Sequence, residues 1–203
     1  MKTIILGKGG DQPFKIKNEG VSYHHAKLTI DDNNEWTLED MNSTNGTYIR
    51  NDVGDLVRVG KVTISPMTFI CLGPDNSKGC CFYAKQAENY GDFREEYDYL
   101  TDKVDEYEEK LDKLEVKTQR IKLLVFLVNI VIVIFSMFGE AGVWLLRAGT
   151  LVSTGFAAFY DASGLKKKMK AQQEKFYHCP NPLCSHILKA SEIREMKCSK
   201  CKK

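Results

Sequence analysis

The sequence predicts a chain of several parts: an all-β domain, a long charged helix, an apolar helical hairpin and a small cysteine-rich module. Strand-like alternation at residues 27–30 and 48–49 surrounds a glycine-containing loop. Heptad spacing of apolar residues follows, and then two long apolar runs. Four of the seven cysteines lie beyond residue 178. We assign the β-domain, the amphipathic helix, the hairpin, a basic linker and the cysteine module to residues 1–86, 87–121, 122–160, 161–175 and 176–203.

Composition excludes little, because the charges nearly balance. The 203 residues contain 29 Lys and Arg and 27 Asp and Glu, a formal net charge of +2 that favours no class of partner. The apolar or strand-like contexts of Cys71, Cys80 and Cys81, with metal-like spacing of the other four cysteines, favour a reducing compartment over a disulfide scaffold. Residues 1–6 lead directly into the β-domain, so we expect no secretory signal peptide.

Two polar segments mark candidate binding loops in the β-domain. Ser22–Ala26 carries a serine and two histidines, and Asn42–Thr47 places hydroxyl and amide side chains around Gly46. Such side chains, together with glycine N–H groups at a strand end, can hold an anion. The two segments therefore predict an anion-binding site.

These segments resemble the motifs S-x-x-H-A and L-x-D-x-x-S-x-N-G-T of the forkhead-associated (FHA) domain. The resemblance covers roughly residues 1–86 and implies a β-sandwich that binds phosphothreonine peptides. It implies that Ser22 and Thr44 contact the phosphate and that Asn45 holds the peptide backbone, while His25 shapes the loops. On this resemblance the candidate phosphopeptide-binding residues are Lys8, Ser22, Tyr23, Ser43, Thr44 and Asn45, and the structural motif residues are Gly7, His25, Gly46 and Thr47.

One position departs from the family pattern. The family has an arginine after a glycine near the start of the domain, and here Lys8 follows Gly7. Lysine keeps the charge but lacks the planar, two-pronged donor of arginine. Phosphothreonine carries about −1.5 to −2 charges at neutral pH, so a point charge still attracts it. The alternative is a β-sandwich whose loops bind a partner without phosphate.

Residues 93–121 predict an amphipathic helix with a continuous heptad seam. Apolar residues recur at steps of four and three, and the intervening positions are mostly charged. In a parallel dimer, lysines at g positions would face glutamates at the following e positions. We therefore predict a homodimeric coiled coil, and the alternative is a helix that packs on its own neighbours. The seam comprises Phe93, Tyr97, Leu100, Val104, Tyr107, Leu111, Leu114, Thr118 and Ile121.

Two apolar runs, Leu123–Phe138 and Ala141–Tyr160, predict a transmembrane helical hairpin. The first run corresponds to about 24 Å of helix, near the ~30 Å hydrocarbon thickness of a bilayer. Lysines and arginines flank the hairpin and none lies at its tip, which predicts a multi-pass membrane protein with both termini in the cytoplasm. The alternatives are a re-entrant hairpin in a membrane and a pair of helices buried in the core of a soluble protein. Arg147 in the second run is expected to reach the tip or pair with Glu140 there.

Four cysteines near the C-terminus predict a zinc ribbon. They form C-x4-C and then, after thirteen residues, C-x2-C. Two such turns can close a tetrahedral thiolate site around Zn²⁺, with His178 or His186 as a substitute for one sulfur. Four protein ligands leave no open position for water, so we expect a structural ion. The predicted metal ligands are Cys179, Cys184, Cys198 and Cys201.

Together these parts predict a membrane-anchored adaptor that binds phosphothreonine peptides and recruits threonine-phosphorylated cytoplasmic proteins. The alternative is a phosphate-independent structural subunit of a membrane assembly. We expect no enzyme, because the sequence offers no nucleophile–base pair, open metal site or phosphate-cradling loop of the Walker type. The cysteine module is basic but lacks the aromatic residues expected for base stacking, so we expect no nucleic-acid partner.

Overall fold

The structure, a computed structural model, describes residues 1–74, 78–136 and 162–203. Its residues group into two compact units: residues 1–104 together with 172–203, the first unit, and residues 105–171, the second unit. The strands are β1 Lys2–Leu6, β2 Ala26–Ile30, β3 Trp36–Asp40, β4 Thr47–Arg50, β5 Leu56–Val59, β6 Lys61–Ile64, β7 Phe69–Leu72 and β8 Cys80–Tyr83. The helices are α1 Ala84–Glu88, α2 Arg94–Ser136, α3 Ala162–Glu174 and α4 Ala190–Arg194.

The strands form two antiparallel sheets that share one apolar core. Strand order is β1-β2-β3-β6 in the first sheet and β5-β4-β7-β8 in the second. Alternation along a strand sets its inner face: Ala26, Leu28 and Ile30 of β2 are buried, while Lys27 and Thr29 are partly exposed. The prediction of an N-terminal all-β sandwich is confirmed. The core between the sheets includes Ile4, Leu6, Leu28, Leu38, Ile70, Leu72 and Phe82.

A second apolar cluster lies on the outer face of the second sheet. All of β7 is buried, because Ile70 and Leu72 join the sandwich core whereas Phe69 and Cys71 join the second cluster. The first turns of α2 and the cysteine-rich tail cover this outer face, so the tail belongs to the same compact unit as the sandwich. The second cluster contains Phe69, Cys71, Tyr83, Phe93, Tyr97, Leu100, Val104, Tyr177, Cys179, Cys184, Leu188, Ile193 and Cys198.

The heptad seam does not form one interface along its whole length. Its first four residues, Phe93 to Val104, are at most 7% exposed because they pack in the second cluster of the same chain. Burial of each apolar side chain of this size contributes about 1.5–3 kcal/mol. The prediction of a dimeric coiled coil is therefore wrong for residues 93–104, because the helix packs on its own neighbours there. A homodimer through residues 105–121 stays a prediction.

The predicted transmembrane hairpin is contradicted. In the described ranges, no helix combines the length and the apolar character that crossing a bilayer requires. The predicted multi-pass membrane location is therefore wrong as well. The second predicted run, with Glu140 and Arg147, lies outside the described residues.

Two cysteines of the second sheet form a disulfide. Cys71 in β7 and Cys81 in β8 lie directly opposite each other in antiparallel register, with 4.1 Å between their Cα atoms. The sequence predicts reduced cysteines at these positions, and the structure differs because strand register brings the two sulfurs together. Cys80, next to this pair, is a buried free thiol.

Candidate functional site

Three loops meet at one end of the sandwich. The antiparallel pairing of β1 with β2 brings the residues after Leu6 close to those before Ala26. The N–H of Lys8 donates to the carbonyl of Ser22 at 3.2 Å, and the N–H of Thr44 donates to Ser22 Oγ at 3.2 Å. The structure thus brings together the loops that carry the predicted phosphopeptide-binding residues.

The hydroxyl of Ser22 is suited to an anion. Its oxygen accepts the N–H of Thr44, and within the part of the chain that the structure describes its own proton has no acceptor. Ser22 is half-buried, whereas Thr44 and Asn45 are exposed. The side chains predicted to face the peptide can therefore be reached from solvent, while the backbone beneath them is fixed.

His25 holds two of the loops from beneath. Its side chain is fully buried, and burial lowers the pKa of the imidazole below its ordinary value. Nδ1 accepts the N–H of Ser22 at 3.0 Å, so the other nitrogen, Nε2, carries the proton and donates to the carbonyl of Gly46 at 3.0 Å. One neutral tautomer of His25 therefore links both motif segments, in the place predicted for a structural residue.

Asp40, at the end of β3, organises the second motif segment. Its Oδ1 accepts the hydroxyls of Ser43 at 2.6 Å and Thr47 at 2.5 Å, and its Oδ2 accepts the N–H of Ser43 at 3.1 Å. Burial opposes ionisation of Asp40, but these hydrogen bonds outweigh it and hold the pKa of the carboxyl below its ordinary value. The hydroxyl of Ser43 also accepts the N–H of Gly46 at 3.0 Å. Asp40 is the aspartate of the motif L-x-D-x-x-S-x-N-G-T, but it is not among the site residues predicted from the sequence.

The turn at Asn45 and Gly46 is fixed on both sides. The amide of Asn45 donates to the carbonyl of Gly20 at 2.8 Å, and the hydroxyl of Tyr48 donates to the carbonyl of Asn45 at 3.1 Å. Gly46 has a φ of +82°, a conformation that residues with a Cβ rarely adopt. A Cβ at this position would also lie 2.5 Å from Nε of Arg58. The glycine is therefore required by backbone conformation, and a Cβ there would also displace the Arg58 side chain.

Lys8 and Tyr23 occupy the first two loops. The ammonium of Lys8 donates to the carbonyl of Glu19 at 3.2 Å, next to the segment that carries Ser22. The N–H of Gly9 donates to the carbonyl of Tyr23 at 2.9 Å, and the Tyr23 side chain is 67% exposed. Gly7 approaches the same carbonyl so closely that a Cβ would lie 2.3 Å from it. Both predicted residues thus lie at the rim of the loop site.

The four predicted metal ligands form a compact cluster. Their sulfur atoms all lie within 4.8 Å of one another, with 3.6 Å between Cys179 and Cys201 and 3.9 Å between Cys184 and Cys198. A tetrahedral site with Zn–S bonds of about 2.3 Å requires sulfur–sulfur separations of about 3.8 Å. The thiols therefore stand in a geometry that can hold a metal ion.

The environment of the cluster bears on ionisation of its thiols. Burial raises the pKa of Cys179 and raises the pKa of Cys184 to about 11. At Cys201 burial opposes ionisation, yet hydrogen bonds from the Lys203 backbone and the Asn181 side chain lower the pKa to about 7. Metal binding requires thiolates, so a bound cation would replace the protons that burial favours.

Neither histidine joins the cluster of four sulfurs. Nδ1 of His178 lies 3.2 Å from a guanidinium nitrogen of Arg50. His186 contacts Glu192 at 3.4 Å, and its ring belongs to a neighbouring group with Glu192 and Cys198. Hydrogen bonds from the Ser199 side chain and from the Lys189 and Ser199 backbones lower the pKa of Glu192 to about 2. Glu192 thereby holds the second cysteine turn on α4.

The cysteine module is attached to the sandwich by contacts that sequence reasoning missed. The guanidinium of Arg50, at the end of β4, lies 3.9 Å from the ring centroid of Phe69 and contacts His178. The hydroxyl of Tyr97 donates to the carbonyl of Lys203 at 3.0 Å, and that of Tyr90 donates to Asn181 at 3.3 Å. No signal in the sequence could pair these residues, because each pair is separated by 91 to 128 positions.

The N-terminal part of this chain is similar to known proteins. Residues 4–73 match the family model of the FHA domain. FhaB, an FHA domain-containing protein of Mycobacterium tuberculosis, is 33% identical over 72 residues, which cover 31% of this chain and 46% of that protein. FhaB of Mycolicibacterium smegmatis is 31% identical over the same coverage. The chain therefore spans less than half the length of these curated relatives.

Solved structures match the same part. The FhaA FHA domain, crystallised with the intracellular domain of Rv3910, is 32% identical, covers 35% of this chain and 71% of its own, and has a TM-score of 0.30. A structure from a study of phosphothreonine-dependent FHA domain interactions has the same identity and TM-score, and 68% of its length is covered. Residues 4–73 thus match the FHA family model, and in this structure they lie in the two-sheet sandwich.

Proposed function

We propose that this chain is a non-enzymatic adaptor that binds phosphothreonine peptides and recruits a threonine-phosphorylated protein. The observation that carries the proposal is the hydrogen bond of Thr44 to Ser22 Oγ, which joins the two motif segments. Among the described residues the Ser22 hydroxyl donates to no acceptor, and the neighbouring residues Thr44 and Asn45 are exposed. The FHA resemblance implies that Ser22 and Thr44 contact the phosphate and that Asn45 holds the peptide backbone, and residues 4–73 match that family model.

The roles of the loop residues divide between contact and support. The hydroxyls of Ser22 and Thr44 and the ammonium of Lys8 bind the phosphate, whose charge of about −1.5 to −2 attracts them. Asn45 binds the peptide backbone, and Tyr23 contacts the peptide at the rim. Ser43 positions the loop, because its hydroxyl is engaged with Asp40 and Gly46. Gly7, His25, Gly46 and Thr47 keep the loops in place without touching the peptide.

Binding of a degenerate phosphothreonine peptide library, measured by fluorescence anisotropy on the full chain, tests this function. Ser22→Ala and Thr44→Ala each remove a hydroxyl that meets a charged group, so affinity is expected to fall at least tenfold. Thr3→Ala removes an exposed hydroxyl of β1 and is the matched control. Equal affinity for the unphosphorylated library would instead show docking without phosphate.

We further propose that the four cysteines hold a structural Zn²⁺ ion. The fit rests on the sulfur separations of 3.6 and 3.9 Å and on burial of three of the four thiols. The ion would cross-link the two cysteine turns of a segment that packs on the sandwich. Elemental analysis of the purified chain is expected to give one zinc per molecule, and a chain without bound transition metal would contradict the proposal.

A further inference from the structure

Arg58 lies directly against the loop that carries Thr44 and Asn45. It stands in β5, opposite Tyr48 of β4, and its side chain reaches across Gly46. A Cβ on Gly46 would lie 2.5 Å from Nε and 3.0 Å from Cζ of Arg58, so the guanidinium itself covers the glycine. The absence of a side chain at Gly46 thus makes room for a planar cation beside the motif.

The charge of Arg58 is exposed to solvent at this position. Among the described residues, no carboxylate pairs with its guanidinium. Other arginines of the first unit differ: Arg94 contacts Asp92 at 2.8 Å, and Arg50 stacks on Phe69. Near the loops, Asp40 is already engaged with two hydroxyls and an N–H. Arg58 therefore keeps its fork of donors available for a group that is not part of the chain.

This position matters because of Lys8. A lysine ammonium attracts an oxyanion as a point charge, but it cannot make the two parallel hydrogen bonds that a guanidinium makes. We propose that Arg58 binds an oxyanion of the bound phosphopeptide and supplies the two-pronged donor that Lys8 lacks. The inference rests on the proposed function. The oxyanion is the phosphate itself or a carboxylate beside the phosphothreonine, since the guanidinium fork fits both groups.

Two peptide libraries distinguish these sources. One contains phosphothreonine with no Asp or Glu, and the other contains phosphothreonine flanked by Asp and Glu. Binding to the full chain is measured for Arg58→Ala, for Arg58→Lys and for the control Lys61→Ala, which removes an exposed charge three residues away. Arg58→Ala is expected to weaken binding about tenfold or more. Arg58→Lys should weaken it several-fold, because the charge stays and the fork is lost, and Lys61→Ala should stay within about twofold.

The pattern of losses identifies the group. Loss with both libraries assigns Arg58 to the phosphate, and loss with the acidic library alone assigns it to a flanking carboxylate. Wild-type affinity of Arg58→Ala for both libraries would overturn the inference while leaving the proposed function intact. A wild-type chain that binds neither library would instead contradict the proposed function. Thermal melts of each variant show that the affinity changes do not come from unfolding.

Discussion

The loop site and the cysteine module lie in one compact unit but are built in opposite ways. Short polar side chains hold the loops, and the hydrogen bonds of His25 and Asp40 leave Thr44 and Asn45 exposed. The cysteine module turns its thiols inward and buries apolar residues against α2 and the second sheet. The difference is that one unit presents polar side chains to solvent at the loops and buries the side chains of the cysteine module against the rest of the fold.

The largest expected effect is on the cysteine module. Cys198 is fully buried among the four sulfurs, so Cys198→Ser should abolish stoichiometric zinc and destabilise the first unit by about 3 kcal/mol or more. Cys80→Ser alters a buried thiol outside the cluster and should retain zinc. Elemental analysis and chemical denaturation measure both. Equal zinc content in the two variants would show that the cluster is not a metal site.

The next effect separates packing within the chain from a coiled coil. Leu100 is fully buried in the second cluster, and Leu100→Ala should cost about 2–5 kcal/mol in unfolding free energy. Leu127 of the same helix is 48% exposed, so Leu127→Ala should change the stability by at most about 0.5 kcal/mol. A cost for Leu100→Ala that depends on protein concentration would point to a dimer instead.

Substitution of Asp40 tests the loop site, and its expected effect is smaller. Asp40→Asn removes a charge that accepts three hydrogen bonds and should cost about 1.5–3 kcal/mol at neutral pH. Because the folded-state pKa of Asp40 lies below its ordinary value, this stabilisation is present above that ordinary value and is lost as pH falls through the folded pKa. Denaturation from pH 7 to pH 2 measures the difference, which should shrink in acid. A difference independent of pH would contradict the role of the charge.

Glu96 gives the smallest effect and the opposite sign. It is fully buried, and burial raises its pKa, so the folded state disfavours its charged form. Stability is then highest below the ordinary glutamate pKa and falls as pH rises towards the folded value. Glu96→Gln should therefore raise the melting temperature at pH 7 and have little effect in acid, while Glu19→Gln, at an exposed site, should do neither. A lower melting temperature for Glu96→Gln at pH 7 would contradict this.

The sequence predicts the loop site better than it predicts the contacts in the rest of the fold. Ser22, Thr44 and Asn45 lie in two short segments whose residue types and spacing are visible without a structure. Antiparallel pairing of neighbouring strands then brings them together, as the predicted sandwich requires. Asp40 could also have been identified from the sequence, because it belongs to the motif and precedes two hydroxyl residues.

The rest depends on contacts between distant parts of the chain. The heptad seam shows that one face of α2 is apolar, but it cannot show that Tyr97 and Leu100 meet the tail of the same chain. Arg50 and His178 are 128 residues apart, and neither lies in a repeating pattern. Hydropathy alone also predicted a bilayer span that the described helices do not provide. The opposition of Arg58 to Tyr48 is likewise a matter of register, which local sequence does not reveal.

Binding of the full chain to paired peptide libraries tests the central claim most directly. The two libraries are identical except that the central threonine is phosphorylated in one and free in the other. If the loops bind phosphothreonine, the affinity for the phosphorylated library should be at least tenfold higher than for the other library. This preference should be lost in Ser22→Ala. Equal binding of the two libraries, or a preference unchanged in Ser22→Ala, would contradict the claim.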